Sequence, residues 1–186
     1  MTKLKLAAIA GSLSQQSLNK LALSAFIQRL PDGVTCSVID LAAIPMYNSD
    51  LTELPSAVSD LKDQIARSDA VVLATPEYNY GIPGVLKNAL DWASRPAYQS
   101  VFAHKPVTML GASPGGVGTA RAQGQLKQVL LGMVADIYPC PELTIGLAKT
   151  KLDVTGNVLD PRLDELITGH ASGFVTWVET RLRSAN

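Results

Sequence analysis

The sequence has few of the residues that build metal centres or disulfide frameworks. It contains two cysteines, Cys36 and Cys140, which lie far apart and form no Cys-x-x-Cys pair. The two histidines, His104 and His170, are also isolated. No zinc or iron–sulfur pattern exists, so we expect no metal site. The cysteines are best interpreted as core thiols in a reducing compartment.

Charge is also scarce, and neither sign predominates. Only 17% of the 186 residues are charged, and 16 basic residues balance 16 acidic ones. This balance gives no electrostatic reason to expect nucleic acid or an anionic membrane as a partner. It also argues against a dedicated carrier that docks through a strongly charged face.

Long apolar runs are missing as well. No stretch reaches the length of about 20 residues that a membrane helix needs. The start of the chain places Lys3 and Lys5 before a short apolar run, which a buried first strand explains better than a signal peptide does. We therefore expect a soluble, cytoplasmic protein.

Strand-like apolar runs alternate with helix-period segments along the whole chain. The predicted strands are 4–10, 34–41, 70–74, 106–110 and an extended segment at 137–145, which its two prolines place at the sheet edge. The predicted helices are 17–30, 55–67, 85–94, one after the loop 114–118, and one that starts at Pro161 with Asp160 as N-cap.

Five strands and five helices in strict alternation predict a parallel sheet covered by helices on both faces. Five strands suit the α/β flavodoxin-like three-layer sandwich, with strand order 2-1-3-4-5, better than the six-stranded dinucleotide fold. No linker or repeat interrupts the pattern, so we interpret residues 1–186 as one domain. In this order Cys36 and Cys140 lie at opposite edges and cannot form a disulfide.

Ligands of such sheets bind beyond the carboxyl ends of the strands, where strands one and three meet. The loop after the first strand carries the hydroxyls of Ser12, Ser14 and Ser17 and the amide of Asn19, ahead of a helix N-terminus that suits phosphate. It has neither a Walker pattern nor Gly-x-Gly-x-x-Gly. A plain turn with Ser17 as N-cap is the alternative interpretation.

Two further loops emerge at the same edge. Only 5% of the chain is aromatic, yet Tyr78 and Tyr80 lie within the loop 75–84, which offers the apolar faces that a flat heteroaromatic ligand needs. The loop after the fourth strand has a Gly-Gly-x-Gly run at 115–118, whose amides can donate to a ring carbonyl, and Arg121 can add positive charge. Ordinary connections with surface aromatics, and a solvated Arg121, are the alternatives.

Taken together, the three loops resemble those of the NADPH-dependent FMN reductase family, which includes flavin, quinone, azo-dye and chromate reductases. The family pattern after the first strand resembles Gly-Ser-Leu-Arg-x-x-Ser-x-Asn, and the chain matches it over 11–19 except at Ser14, where arginine is usual. The other loops match as Pro-Glu-Tyr-Asn-Tyr-Gly at 76–81, Ser-Pro-Gly-Gly at 113–116 and Ala-Arg at 120–121. The resemblance spans nearly the whole chain.

The resemblance implies a set of cofactor-binding residues. Around the FMN phosphate it places Ser12, Ser14, Ser17 and Asn19. Along the isoalloxazine ring it places Pro76, Glu77, Tyr78, Asn79 and Tyr80, with Ser113 and Gly116 near the pyrimidine edge. Arg121, near the start of the following helix, is added as a source of positive charge near the ring.

The implied activity is that of an oxidoreductase. NADPH or NADH gives electrons to FMN, and a small acceptor such as a quinone or free flavin takes them in a ping-pong sequence. No catalytic acid or base is expected, because the flavin carries the chemistry. Family members are usually homodimers or homotetramers, with Trp92 and its helix as candidate contacts here. The alternatives are a non-enzymatic flavodoxin-type electron carrier and a domain that has lost flavin.

Overall fold

The computed structural model describes residues 4–184. Its strands are β1 (Lys5–Ala10), β2 (Thr35–Ile39), β3 (Ala70–Ala74), β4 (Pro106–Ala112), β5 (Asp136–Ile137) and β6 (Leu143–Ile145). Its helices are α1 (Leu18–Ile27), α2 (Ser56–Ala66), α3 (Gly84–Ala93), α4 (Ala120–Gly132), α5 (Ala148–Lys151) and α6 (Pro161–Ser184).

All strand pairs of the sheet are parallel, in the order β2-β1-β3-β4-β5, with β6 also paired to β4. The predicted α/β fold and strand order are therefore confirmed. The edge segment differs in detail, because it forms the two short strands β5 and β6 instead of one. Pro139 and Pro141 lie between them, and proline cannot donate a hydrogen bond to a sheet ladder. The four-residue helix α5 was not predicted, since one turn is too short to show a hydrophobic period.

The core lies in two layers on the two faces of the sheet. Strand β3 is buried along its whole length, and its side chains alternate between the faces. Val72 packs with residues of α1 and α6, such as Phe26 and Phe174. Leu73 packs on the other face with residues of α2, α3 and α4. Burying one such aromatic or branched side chain contributes about 2–3 kcal/mol.

His170 lies in the layer formed by α1 and α6, although no sequence pattern indicated a partner for it. Its Nε2 atom is 2.7 Å from Oγ1 of Thr108 on β4, and the rings of Phe26 and Tyr138 meet it edge-on. Burial lowers the pKa of His170 to about 4, so the ring is neutral at physiological pH. This histidine therefore belongs to the core.

Trp92 on α3 is also buried, with 5% of its surface exposed. Its Nε1–H donates to the carbonyl of Pro45 at 2.8 Å, and the ring of Tyr47 packs against it. The expectation that Trp92 itself contacts a second subunit is therefore wrong, because the segment before α2 already covers it.

Cys36 on β2 and Cys140 between β5 and β6 lie at opposite edges of the sheet, as predicted. Both are free thiols and are only half-buried, so they are less buried than the core thiols that were expected. Within residues 4–184 no helix combines the length and the apolar character that a membrane span requires. The same residues contain no group of three or more His, Cys, Asp and Glu side chains that could hold a metal ion.

Candidate cofactor site

The loops after β1, β3 and β4 meet at the carboxyl edge of the sheet. Backbone hydrogen bonds join the strand ends, from Gly11 N–H to the Ala74 carbonyl (2.8 Å) and from Thr75 N–H to the Leu110 carbonyl (2.9 Å). Three loops that are far apart in sequence thus line one site, at the position predicted for ligands of this fold.

Asn19 ties the first of these loops to β4. Its side-chain nitrogen donates to the carbonyl of Ala112, and its side-chain oxygen accepts from the N–H of Ala112, both at 2.9 Å. The residue is 2% exposed. Because both side-chain groups are used inside the protein, the structure gives Asn19 a positioning role next to the loop.

The first loop, residues 11–17, which we name the phosphate loop after the ligand predicted for it, has hydroxyl hydrogens with no acceptor among the described residues. The Ser17 oxygen caps α1 by accepting from the N–H groups of Asn19 (3.2 Å) and Lys20 (3.4 Å), and the Ser12 oxygen accepts from the N–H of Ser14 (3.3 Å). A hydroxyl that accepts can still donate its own hydrogen. Ser12 and Ser17 therefore hold the loop and retain donors, whereas the Ser14 side chain is exposed.

Backbone donors of the phosphate loop are also unpaired. Among the residues that the structure describes, the N–H groups of Leu13, Gln15, Gln16 and Ser17 donate to no protein atom. They precede the N-terminus of α1, where the helix dipole places partial positive charge. A run of free N–H groups at such a terminus fits a phosphate group.

Lys20 is a residue that the sequence analysis missed. Its ammonium lies 3.4 Å from the carbonyl of Leu13, beside the phosphate loop. It occupies the first turn of α1, where the helix dipole disfavours a cation unless an anion is near. Lys20 can therefore supply the positive charge that is missing at Ser14. The sequence feature that could have indicated this role is Ser14 in place of the family arginine, followed by Lys20 in the first turn of α1.

The second loop forms a two-residue hairpin. Tyr78 and Gly81 exchange backbone hydrogen bonds of 3.0 and 3.1 Å, and the residues between them are in the left-handed region, with φ of 49° for Asn79 and 70° for Tyr80. This conformation suits asparagine but strains tyrosine. The hairpin leaves Tyr78 and Tyr80 exposed by 54% and 72%, while Pro76 is buried beneath it.

Glu77 and Arg121 lock the second loop to the third. One Glu77 oxygen accepts from the N–H groups of Arg121 (3.0 Å) and Ala122 (3.1 Å), and the other accepts from Arg121 Nε (2.6 Å). The Glu77 side chain is 7% exposed. Arg121 also lies over the ring of Tyr80, 4.0 Å from its centroid. Its charge is thus balanced by Glu77, which caps α4 from a neighbouring loop.

The third loop presents backbone donors. Ser113 uses its hydroxyl hydrogen on the carbonyl of Gly115 at 3.1 Å, so its side chain shapes the loop. Over the described part of the chain, the N–H groups of Gly115, Gly116 and Val117 donate to no protein atom. Gly118 has φ of 68°, which permits the turn into α4. Free N–H groups opposite an aromatic hairpin fit the polar edge of a flat ring.

Comparison with known proteins identifies the family of the chain. The family model described as NADPH-dependent FMN reductase matches residues 4–150. The chain belongs to the NADPH-dependent FMN reductase family. The predicted family is thereby confirmed, and the protein is an oxidoreductase that uses FMN and reduced nicotinamide dinucleotide.

Similar proteins match almost end to end. An NAD(P)H-dependent FMN reductase of Pseudomonas aeruginosa is 44% identical over 184 residues, covering 97% of each chain. A 2-hydroxy-1,4-benzoquinone reductase of Burkholderia is 36% identical over 96% of this chain and 98% of its own. The structure of FerB, a flavoenzyme NAD(P)H:acceptor oxidoreductase of Paracoccus denitrificans, matches with a TM-score of 0.88 at 36% identity, covering 95% of this chain and 97% of that one.

Proposed function

We propose that the protein passes electrons from NADPH or NADH through FMN to a quinone, with free flavin as the second acceptor class. The observation that carries this proposal is the pairing of two features across one sheet edge. One is a loop of unpaired N–H donors with Lys20 beside it, and the other is an exposed pair of tyrosines opposite a second row of N–H donors. The first suits a phosphate and the second suits a flat ring.

In this proposal the phosphate loop holds the FMN phosphate. Ser12 and Ser17 donate their hydroxyl hydrogens, and the free N–H groups between them complete the contacts. The exposed hydroxyl of Ser14 is a further donor, and Lys20 supplies charge. Asn19 positions the phosphate loop through the two hydrogen bonds that its side chain makes with Ala112 of β4.

The hairpin and the glycine-rich loop hold the ring. Tyr78, Asn79 and Tyr80 lie against it, while the N–H groups near Gly116 donate to its carbonyls. Pro76, Glu77, Ser113 and Arg121 set the shape of these loops. When bound, FMN supplies the hydride and electron transfer itself. The protein binds and orients, so we assign no catalytic acid or base.

An exposed ring allows donor and acceptor to use one position in turn. The two tyrosines lie at the surface, so a nicotinamide can leave before a quinone enters. This predicts ping-pong kinetics, with parallel lines in double-reciprocal plots at several quinone concentrations. Relatives named as quinone reductases in Escherichia coli and Burkholderia support the choice of acceptor.

The proposal also covers assembly, extent and location. Met46, Leu51 and Leu54 are apolar and exposed by 78%, 48% and 48%, and they lie in the segment before α2 whose Pro45 and Tyr47 cover Trp92. Exposed apolar side chains in one segment favour a homodimer or homotetramer. Residues 1–186 form one FMN-binding domain, supported by two core layers on a single sheet. Two free cysteines support a reducing, cytoplasmic location. Light scattering after size exclusion measures the subunit number.

Anaerobic reduction of the FMN-loaded protein tests the function. We expect the visible flavin spectrum to bleach rapidly with NADPH or NADH and to return when a benzoquinone is added. A flavin spectrum that neither nucleotide bleaches would instead indicate an electron carrier. If free FMN reoxidises the bleached protein and a quinone does not, the protein is a flavin reductase and not a quinone reductase.

A further inference from the structure

A cysteine and a histidine lie side by side where the edge of the sheet is interrupted. Cys140 lies between β5 and β6, and its Sγ atom is 4.0 Å from Nδ1 of His170 on α6. Neither residue belongs to the three loops of the candidate cofactor site, and the proposed function uses neither. A ligand held by this pair is therefore independent of that function.

The backbone holds the thiol of Cys140 in place. Proline stands on both sides of the cysteine, at 139 and 141, and fixes the backbone angle φ at about −65° in each case. The N–H of Cys140 donates to the carbonyl of Tyr138 at 3.0 Å, which closes a tight turn across Pro139. The sulfur therefore extends from a stiff segment, which lowers the entropic cost of binding a ligand there.

Thr108 on β4 orients the imidazole ring of His170. Its Oγ1 atom lies 2.7 Å from Nε2, and this oxygen can accept from an Nε2–H group. In that tautomer Nδ1 carries a lone pair on the side of the ring that faces Cys140. Histidines that bind metal ions are held in the same way, by a partner that accepts from the ring nitrogen opposite the metal.

A buried oxygen without a partner lies near the thiol. Gln123 on α4 is 0% exposed, and its Nε2 donates to Oγ1 of Thr119 and to the carbonyl of Leu143, both at 3.1 Å. Its Oε1 atom accepts from no group among the residues that the structure describes. Gln123, Thr108 and Cys140 line one cavity of about 10 Å³, which has the size of a single water molecule or ion. A hydrogen-bond donor or a cation in this cavity satisfies the oxygen.

The pair is also open to solvent. Cys140 and His170 line a groove of about 310 Å³, together with Glu142 and Glu165. Glu142 pairs with Lys127, whereas Glu165 forms no ion pair within residues 4–184. Carboxylates along a groove raise the local concentration of cations. A positive ion therefore has a path to the sulfur and the ring nitrogen.

The distance between the two donor atoms indicates the kind of ion. Metal bonds to sulfur and to imidazole nitrogen are about 2.3 and about 2.0 Å long, so a tetrahedral ion brings the donors to about 3.5 Å and an ion in line with them to about 4.3 Å. The observed 4.0 Å corresponds to a wide angle of about 135° at the ion. Structural zinc also needs four ligands, and residues 4–184 hold no cluster of three His, Cys, Asp or Glu side chains. One thiolate and one imidazole at a wide angle suit Cu(I).

We propose that Cys140 and His170 form a binding site for a soft monovalent metal ion of the Cu(I) class, with the oxygen of Gln123 available as a third donor. When the ion binds, a bond from copper to sulfur replaces the S–H bond, and the thiol proton passes to solvent. Copper enters and stays as Cu(I), so the step involves no electron transfer. Binding should leave the FMN affinity of the protein unchanged.

Competition for Cu(I) under anaerobic conditions tests this inference on the FMN-loaded protein. Cu(I) is supplied as its coloured bicinchoninate complex, and wild type is expected to withdraw one equivalent. Cys140→Ser should weaken Cu(I) binding about 100-fold or more, because the soft ligand is lost. Thr108→Val, which keeps the side-chain shape and removes the partner of His170, should weaken it about tenfold. The matched control is Cys36→Ser, which removes the other half-buried thiol and should leave the affinity unchanged.

An unchanged Cu(I) affinity in Cys140→Ser would overturn the site. A loss in Cys140→Ser without any loss in Thr108→Val or His170→Gln would show that the thiol binds alone, which overturns the two-donor assignment. Thr108→Val keeps this comparison available if His170→Gln does not fold. Ag(I), an ion of the same class, should raise the unfolding temperature of wild type, and an equal rise with Zn(II) would contradict the choice of metal. Each of these results leaves the proposed flavin function intact.

Discussion

The two halves of the proposed cofactor site are built in opposite ways. The phosphate loop is open, because four of its N–H groups and the hydroxyl hydrogens of Ser12 and Ser17 have no partner among the described residues. The loops 75–84 and 113–118, which we call the ring loops, are joined to each other. Both carboxylate oxygens of Glu77 accept hydrogen bonds, one from backbone N–H groups at the start of α4 and the other from the Arg121 side chain. The phosphate loop therefore has unpaired donors that an anion can use, whereas the ring loops are held in position by hydrogen bonds within the protein.

This difference fits the chemical group that we propose for each half. The oxygens of a phosphate accept hydrogen bonds, so a bound phosphate satisfies the unpaired N–H groups near a helix terminus and removes the free-energy penalty of leaving them unpaired. A ring offers few acceptors and is recognised by shape, which requires loops that hold their positions without it. Changes in the phosphate loop should therefore alter affinity for the charge, and changes in the ring loops should alter stability and affinity for the ring.

The largest effect is expected for Glu77→Gln. The change leaves Arg121 without its carboxylate and removes the charged cap of α4, so the free energy of unfolding should fall by about 2 kcal/mol. FMN and riboflavin should both bind less tightly, because the loops that shape the ring site separate. Urea denaturation and flavin titration measure the two effects.

Glu142→Gln is the matched control, since Glu142 pairs with Lys127 on a more exposed surface. Loss of this ion pair should lower the free energy of unfolding by less than about 1 kcal/mol and leave flavin affinity unchanged. Equal losses in both variants would show that the ring loops gain nothing special from Glu77.

Ser17→Ala should separate stability from affinity. Loss of the N-cap should lower the free energy of unfolding by about 1 kcal/mol. Loss of the hydroxyl should weaken FMN about tenfold while leaving riboflavin, which lacks the phosphate, unaffected. Asp160→Ala removes the N-cap of α6, where the carboxylate accepts from the N–H groups of Arg162 and Leu163. That variant should lose similar stability and keep its FMN affinity, and a drop in FMN affinity there would contradict the assignment.

A smaller effect is expected for Lys20→Met. The ammonium acts on the phosphate through partly exposed surroundings, so FMN should weaken about threefold to tenfold at low salt. The difference from wild type should shrink as salt is added. Lys62→Met is the control, because Lys62 also donates to a backbone carbonyl, that of Arg95, at 2.9 Å. Equal FMN affinities for wild type and Lys20→Met at low salt would remove Lys20 from the site.

The smallest change in stability is expected for Tyr80→Gly. Relief of the left-handed conformation should offset the lost contact with Arg121, giving a net change within about 0.5 kcal/mol. Affinity for FMN and riboflavin should nevertheless fall, because an aromatic face is lost. Tyr98 has φ of 61° and is 78% exposed outside the site. Tyr98→Gly should relieve similar strain without any change in flavin affinity, so a matching loss there would refute the role of Tyr80.

Much of the fold could be read from local patterns. The apolar run of β3 and the Asp160-Pro161 start of α6 are short-range signals, and both are where the sequence places them. The position of the three loops follows from strand order, because parallel strands bring their carboxyl ends to one edge.

The contacts inside the site could not be read in this way. Glu77 and Arg121 are 44 residues apart, and Asn19 and Ala112 are 93 apart, so no local pattern reports their pairing. Trp92 shows the same limit, since the family resemblance made it a candidate subunit contact, whereas its indole N–H donates to the carbonyl of Pro45, 47 residues earlier in the chain. Long-range partners decide whether a polar group is free for a ligand or already used.

The most direct test of the two-part site is the ratio of the dissociation constants of riboflavin and FMN. The account predicts that wild type binds FMN about 100-fold more tightly than riboflavin. This ratio should fall about tenfold in Ser17→Ala and stay constant in Glu77→Gln, where both constants rise together. Riboflavin that binds wild type as tightly as FMN would contradict the assignment of the phosphate loop, and with it the central claim.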